Sequence, residues 1–129
     1  MKLSDEDVQW LYPDLEVIDV IDRLTKLGVK LMAVTMGANG SVIATPSSAT
    51  NIPIARGKVA DAIGAGDSYM AALIQCLFHA DLDYFGPDEI EWIGRRCAGA
   101  ASITVGRPGA DPPWLSELTG RLIRWKGRA

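Results

Sequence analysis

Lys30-Leu31-Met32-Ala33-Val34-Thr35-Met36 is a short apolar run; Gly37-Ala38-Asn39-Gly40 follows it, and then a second apolar run, Ser41-Val42-Ile43-Ala44-Thr45. Two short apolar runs around a glycine turn predict two buried strands joined tightly. Upstream, Leu15, Ile18, Ile21, Leu24 and Leu27 recur at helical spacing and Gly28 follows them, the pattern of an amphipathic helix stopped by glycine. A helix, a glycine and then a buried strand is the rhythm of a sheet with helices on its faces, so the fold class is α/β.

The flanks extend this reading. Ser4 and Asp7 have the spacing of a capping box for a short helix through Val8 and Leu11, which Tyr12-Pro13-Asp14 breaks. Pro46, Ser47, Ser48 and Thr50 read as a polar loop, and Ile52-Pro53-Ile54 as a short edge segment, because proline cannot donate to a sheet. A helix begins near Pro87, with Asp88 and Glu89 suited to its positive end, and runs through Ile90, Ile93, Cys97, Ala100 and Thr104. Leu115, Leu118, Leu122 and Trp125 suggest a final helix.

The chain has 129 residues, 48% of them apolar, and a formal charge of −3. That suits one domain, residues 1–129, with its own core. The scattered Lys and Arg argue against a nucleic-acid surface, and the tail of Arg121, Arg124, Lys126 and Arg128 reads as a solvated end. No apolar run is long enough to cross a bilayer, and the first seven residues turn acidic where a signal peptide would be apolar. The expected location is the cytoplasm, with Cys76 and Cys97 as buried free thiols. Trp10, Trp92, Trp114 and Trp125 read as packing residues, and His79 as a solvated cation at a helix end.

Asp61-Ala62-Ile63-Gly64-Ala65-Gly66-Asp67-Ser68-Tyr69 carries the chemistry. Glycines let a ligand approach the main chain. Met70, Leu73, Ile74 and Leu77 follow at helical spacing, so the turn sits at a helix N-terminus, where unpaired amides and the dipole favour a phosphate. Asp67 either caps that helix or takes a proton from an attacking hydroxyl. The small stretch Cys97-Ala98-Gly99-Ala100-Ala101-Ser102 either lets two helices pack closely or leaves room for a flat ring such as a purine.

Asp61 to Asp67 resembles the D-T-x-G-A-G-D signature of ribokinase-type (PfkB) carbohydrate kinases. Thr35-Met36-Gly37-Ala38-Asn39-Gly40 resembles their T-x-G-x-x-G nucleotide loop, and Arg107-Pro108-Gly109-Ala110-Asp111-Pro112-Pro113 the loop after their adenine-side helix. Lys2-Leu3-Ser4-Asp5-Glu6-Asp7 and the R-P-G-A segment look most like fructokinases. Three matches in family order cover nearly the whole chain.

The resemblance implies the C-terminal part of a three-layer α/β/α, ribokinase-like fold with a Rossmann-like, mostly parallel sheet, the N-terminal sugar-binding and lid portion being absent. It implies ATP-dependent phosphotransfer to the hydroxyl of a small sugar. Asp67 matches the general base, and the amides of Gly64, Ala65 and Gly66 the anion hole. Thr35, Met36, Gly37, Ala38, Asn39, Gly40, Gly66 and Ala98 match ATP contacts, with Mg2+ accompanying the nucleotide. Asp61 and the carbonyls of Ile63, Thr104, Arg107 and Gly109 match a monovalent-cation site suited to K+. Ala62 replaces the usual Thr of the signature, Ala98 stands where many members carry Asn, and Pro113 where some offer Ser. A catalytically incompetent nucleotide-binding or structural fragment is the alternative reading. Sheet surface left uncovered by the missing strands would favour self-association.

Overall fold

A computed structural model describes residues 1–121 apart from Arg56, His79, Leu82 and Tyr84, and excludes the side chains of residues 119–121. The expectations for His79, Leu122, Arg124, Trp125, Lys126 and Arg128 lie outside the described residues. Strands β1 (Lys2–Ser4), β2 (Met32–Thr35), β3 (Ser41–Thr45) and β4 (Ser48–Ile52) accompany helices α1 (Asp5–Leu11), α2 (Val17–Lys26), α3 (Ala65–Leu77), α4 (Pro87–Val105) and α5 (Leu115–Arg121).

The strands form one sheet in the order β1-β2-β3-β4. β1 runs parallel to β2, with Lys2 opposite Ala33, and the other two pairings are antiparallel. Within the described residues the sheet is therefore mixed rather than mostly parallel. The parallel pair requires a crossover, supplied by α1 and α2, whereas the glycine turn and the two-residue Pro46-Ser47 link permit hairpins. The second hairpin corrects the reading of residues 46–50 as loop. Ser48–Ile52 is a strand, and Pro53 lies just past it, where its missing N–H costs the ladder nothing.

Alternation along β2 and β3 produces the layers. Leu31, Ala33 and Ile43 face a core completed by Tyr69, Leu73, Ile90, Ile93 and Cys97 of α3 and α4. Met32, Val34, Val42 and Ala44 face the opposite core, built with Val8 of α1 and Val20, Ile21 and Leu24 of α2. Successive side chains point to opposite faces, so a strand covered on both sides reads as a continuous apolar run.

The helices begin much as expected, but their buried faces differ in detail. Ser4 accepts from the Asp7 amide at 3.0 Å and Asp7 accepts from the Ser4 amide at 2.8 Å, completing the capping box. The Ser4 amide, with the Ser4 hydroxyl beside it, holds the Asp7 carboxyl below its ordinary range. In α2, Val20, Ile21 and Leu24 are buried, while Ile18 and Leu27 are exposed. In α3 the buried face is Ser68, Tyr69, Ala72 and Leu73, and Met70 and Ile74 point outward. Trp10 and Trp114 are exposed rather than packed, and Trp92 is half-buried beneath the Arg96 guanidinium. Cys97 is fully buried, while Cys76 is only partly covered.

Helix α4 lies close against the sheet at Gly94. A Cβ there would come within 2.4 Å of Ile52 Cγ1 and 3.1 Å of Ile43 Cδ1. The nearly buried Arg96 spans the gap to α3, donating to Gln75 Oε1 at 3.0 and 3.3 Å. Among the described residues, no helix is long and apolar enough to cross a membrane.

Candidate active site

Gly64 caps the N-terminus of α3 with φ 80°, a left-handed conformation that glycine adopts without penalty. The site also lacks space, because a Cβ on Gly64 would stand 2.9 Å from that of Ala110. The turn is thereby seated directly against the loop that follows α4. The Ser68 amide donates to the Gly64 carbonyl at 2.9 Å and the Ala65 amide to Ala62 at 3.3 Å. Among the described residues, the amides of Gly66 and Asp67 remain as the orphan donors that a helix start directs at an anion.

Asp67 stands exposed in this first turn. Among the described residues its carboxylate makes no hydrogen bond and no ion pair, so it does not cap α3. An exposed carboxylate in the same turn as those amides is chemically able to accept a proton.

Two buried bonds fix the turn that carries it. Ser68 Oγ lies 2.6 Å from Thr104 Oγ1, and Thr104 in turn donates to the Ala100 carbonyl at 3.2 Å. With the Thr104 proton spent on Ala100, Ser68 is the donor of the first bond. Tyr69 OH lies 3.0 Å from Ser41 Oγ, the residue immediately after the Thr35–Gly40 loop. Burial raises the Tyr69 phenol well above its ordinary range, and the Ser41 contact offsets this only in part. Through consecutive residues, Ser68 and Tyr69, the start of α3 is tied to the end of α4 and to the hairpin loop.

That loop folds as a single 3₁₀ turn, Gly37–Asn39. The Met36 amide donates to Gly40 at 2.8 Å and the Asn39 amide to Met36 at 2.9 Å. Gly40 has φ 85°, and a Cβ on it would fall 2.2 Å from the Ile52 carbonyl oxygen, so glycine is required there on both counts. Thr35 Oγ1 lies at the long limit of a hydrogen bond, 3.5 Å, from the Leu3 carbonyl. Ala98 is half-buried in α4, whereas Cys97 and Ala100 are packed in the core. Close packing thus accounts for that part of the small-residue stretch.

Asp61 joins the remaining segment to the turn. Its Oδ1 accepts from the Ile63 amide at 3.0 Å and its Oδ2 from the Gly109 amide at 3.3 Å, while its own amide donates to Val105 at 3.1 Å. The Arg107 amide donates to the Thr104 carbonyl at 3.1 Å, and the Arg107 guanidinium pairs with Glu117 and Asp111. Asp61 thus joins Ile63 and Gly109 directly through its carboxylate, and Thr104 and Arg107, bonded to each other through the backbone, complete the five residues matched to a cation site. Their donors are all oxygen, which suits a hard cation.

Ser41, Ser68 and Tyr69 escaped the sequence reading. Ser68 and Tyr69 follow Asp67 directly, but their partners lie 36 and 28 residues away, and no local pattern reveals such pairings. An open groove of about 640 Å³ lies elsewhere on α3 and α4 and is lined by Ile74, Gln75, Cys76, Phe78, Trp92 and Arg96.

The sequence profile of pfkB family carbohydrate kinases matches residues 1–117. The chain is 31% identical over 124 residues to a fructokinase of Rhizobium leguminosarum bv. trifolii, covering 96% of this chain and 35% of that protein. A double-mutant fructokinase of Vibrio cholerae O395, solved with fructose, ADP and potassium ion bound, superposes with a TM-score of 0.78 at 26% identity; the match covers 95% of this chain and 40% of that one. A ribokinase of Thermotoga maritima superposes with a TM-score of 0.75 at 22% identity, over 92% of this chain and 40% of that one. The fold is ribokinase-like, and the chain spans about a third of the length of the curated relatives it matches.

Proposed function

Because the chain belongs to the pfkB family of carbohydrate kinases, we propose that it forms the nucleotide-binding and catalytic-base portion of an ATP-dependent kinase acting on a sugar hydroxyl. The observation that carries this reading is the exposed Asp67 carboxylate, unpartnered among the described residues, beside the orphan amides of a turn tied to the end of α4 and the start of β3. Asp67 takes the proton of the attacking hydroxyl, and the turn Gly64, Ala65 and Gly66 receives the transferring phosphoryl group. Phosphoryl transfer passes through a loose transition state in which positioning and fixed dipoles do most of the work.

Thr35 to Gly40, with Gly66 and Ala98, hold the nucleotide, which brings Mg2+ with it. A potassium ion would be held by the Asp61 carboxylate and the carbonyls of Ile63, Thr104, Arg107 and Gly109. Its charge would order the loop around the anion hole. The sugar class nearest to hand is fructose, which the Vibrio cholerae fructokinase binds.

A second reading, nucleotide binding without turnover, is favoured by the 35% share of the Rhizobium fructokinase that the chain spans. Incubating the chain with MgATP, potassium and fructose distinguishes the two, since sugar-phosphate formation excludes the second. Under the first, Asp67→Asn lowers kcat about 10²- to 10⁴-fold with ATP affinity retained; an unchanged rate removes Asp67 as the base. Self-association belongs to the same proposal. β1 and β4 stand at the edges of the described sheet, and Ala49 and Asn51 of β4 are exposed, so light scattering should rise above the monomer value with concentration.

A further inference from the structure

Lys2 is part of the Lys2-Leu3-Ser4 segment that opens the chain, and neither the anion hole nor the base accounts for it. In β1 it lies opposite Ala33, whose side chain belongs to the α3–α4 face of the sheet. Leu3, the next residue along, packs on the other face. This alternation sends the Lys2 side chain toward the start of α3. A Cβ placed on Gly66 would stand 3.2 Å from Lys2 Nζ, so the ammonium lies directly over the backbone of the anion-hole turn. Among the described residues Lys2 joins no ion pair, although it is close enough to Asp7 to favour that carboxylate.

We propose that Lys2 is a phosphate-binding residue whose ammonium contacts the terminal phosphoryl group of the nucleotide seated on the Gly64–Gly66 turn. This rests on the reading of that turn as the anion hole. The amides supply fixed partial charges, and Lys2 adds a full positive charge on the open side of the same cradle. A flexible ammonium can follow the phosphoryl group as it moves from donor to acceptor. Glycine at position 66 is what makes room, since a side chain there would displace the ammonium.

Calorimetric titration of the full 129-residue chain with ATP and with ADP, at fixed magnesium and potassium, tests the assignment. The contact is to the terminal phosphate, so Lys2→Met should weaken ATP binding about tenfold or more, the usual size of one charge-assisted hydrogen bond. ADP binding should stay nearly unchanged, and Lys2→Arg, which keeps the charge, should retain most of the ATP affinity. Unfolding curves matching those of the unsubstituted chain confirm that each variant is folded. Unchanged ATP affinity in Lys2→Met, or an equal loss for ATP and ADP, overturns the role of Lys2 while leaving the nucleotide site standing. An unsubstituted chain that binds neither nucleotide overturns the anion-hole reading and the role of Lys2 with it.

Discussion

Ser68 and Thr104 share a buried hydrogen bond of 2.6 Å that joins the first turn of α3 to the last turn of α4. It lies one residue from Asp67, so it fixes the orientation of that turn and adds stability. Thr104→Val removes the link and leaves the Ser68 hydroxyl buried without a partner, an expected cost of about 1–3 kcal/mol. Ser68→Ala alone should cost about 1 kcal/mol, because Thr104 keeps its bond to Ala100. The double variant should then lose less than the sum, since no orphan hydroxyl remains. Additive losses in urea unfolding would show that the two hydroxyls act independently.

Gly94 sets two effects against each other. Alanine in a helix interior is favoured over glycine by about 1 kcal/mol. Here, however, the added methyl would meet the buried Ile52 side chain at 2.4 and 2.7 Å, and overpacking a fixed core costs about 1–3 kcal/mol. Ile52 is 2% exposed and has nowhere to go, so Gly94→Ala should be destabilising, with a lower Tm. A raised Tm would mean that α4 can lift off the sheet at little cost.

The contrast between what the sequence reveals and what it conceals has a physical basis. β2, β3 and the glycine turns are legible because two-sided burial and left-handed backbone each leave a local signature. β4 is not. Ser48, Ala49, Thr50 and Asn51 alternate in exposure at the sheet edge, and their polar residues look like loop. Helical spacing identified α2 but not its inward face, because Ile18 and Leu27 satisfy the same periodicity from the outside. At the site, Asp61, Gly64 and Asp67 are recognisable from their neighbours. Ser41–Tyr69, Ser68–Thr104 and Lys2–Gly66 depend on chain crossings that only the fold creates.

Tyr69 makes stability sensitive to alkaline pH. Its phenol is 2% exposed and ionises, when folded, well above the ordinary tyrosine value. Above pH about 10, the unfolded chain releases a proton that the folded chain retains, so stability falls as pH rises through that region. The contribution is fully present at lower pH. Tyr69→Phe should flatten the decline in thermal stability above pH about 10, at the expense of the Ser41 bond at neutral pH. An identical alkaline slope in the variant would place the titration elsewhere.

Asp61 offers the most direct test of the cation assembly. Its two carboxylate oxygens hold the Ile63 and Gly109 amides together, so removing them frees the loop from the turn even without a cation. If potassium binds there, it stabilises the folded chain by mass action, about 2.7 kcal/mol at a hundredfold excess over its Kd. Replacing a bulky organic cation with potassium at constant ionic strength should then raise Tm by several degrees. Asp61→Ala should lower Tm and abolish the potassium increment. Asp61→Asn, which keeps an acceptor oxygen but not the charge, should retain part of the loop bonding and lose most of the increment. An equal potassium-dependent rise in all three proteins would remove Asp61 from the cation site while leaving its amide bonds as the reason it is there.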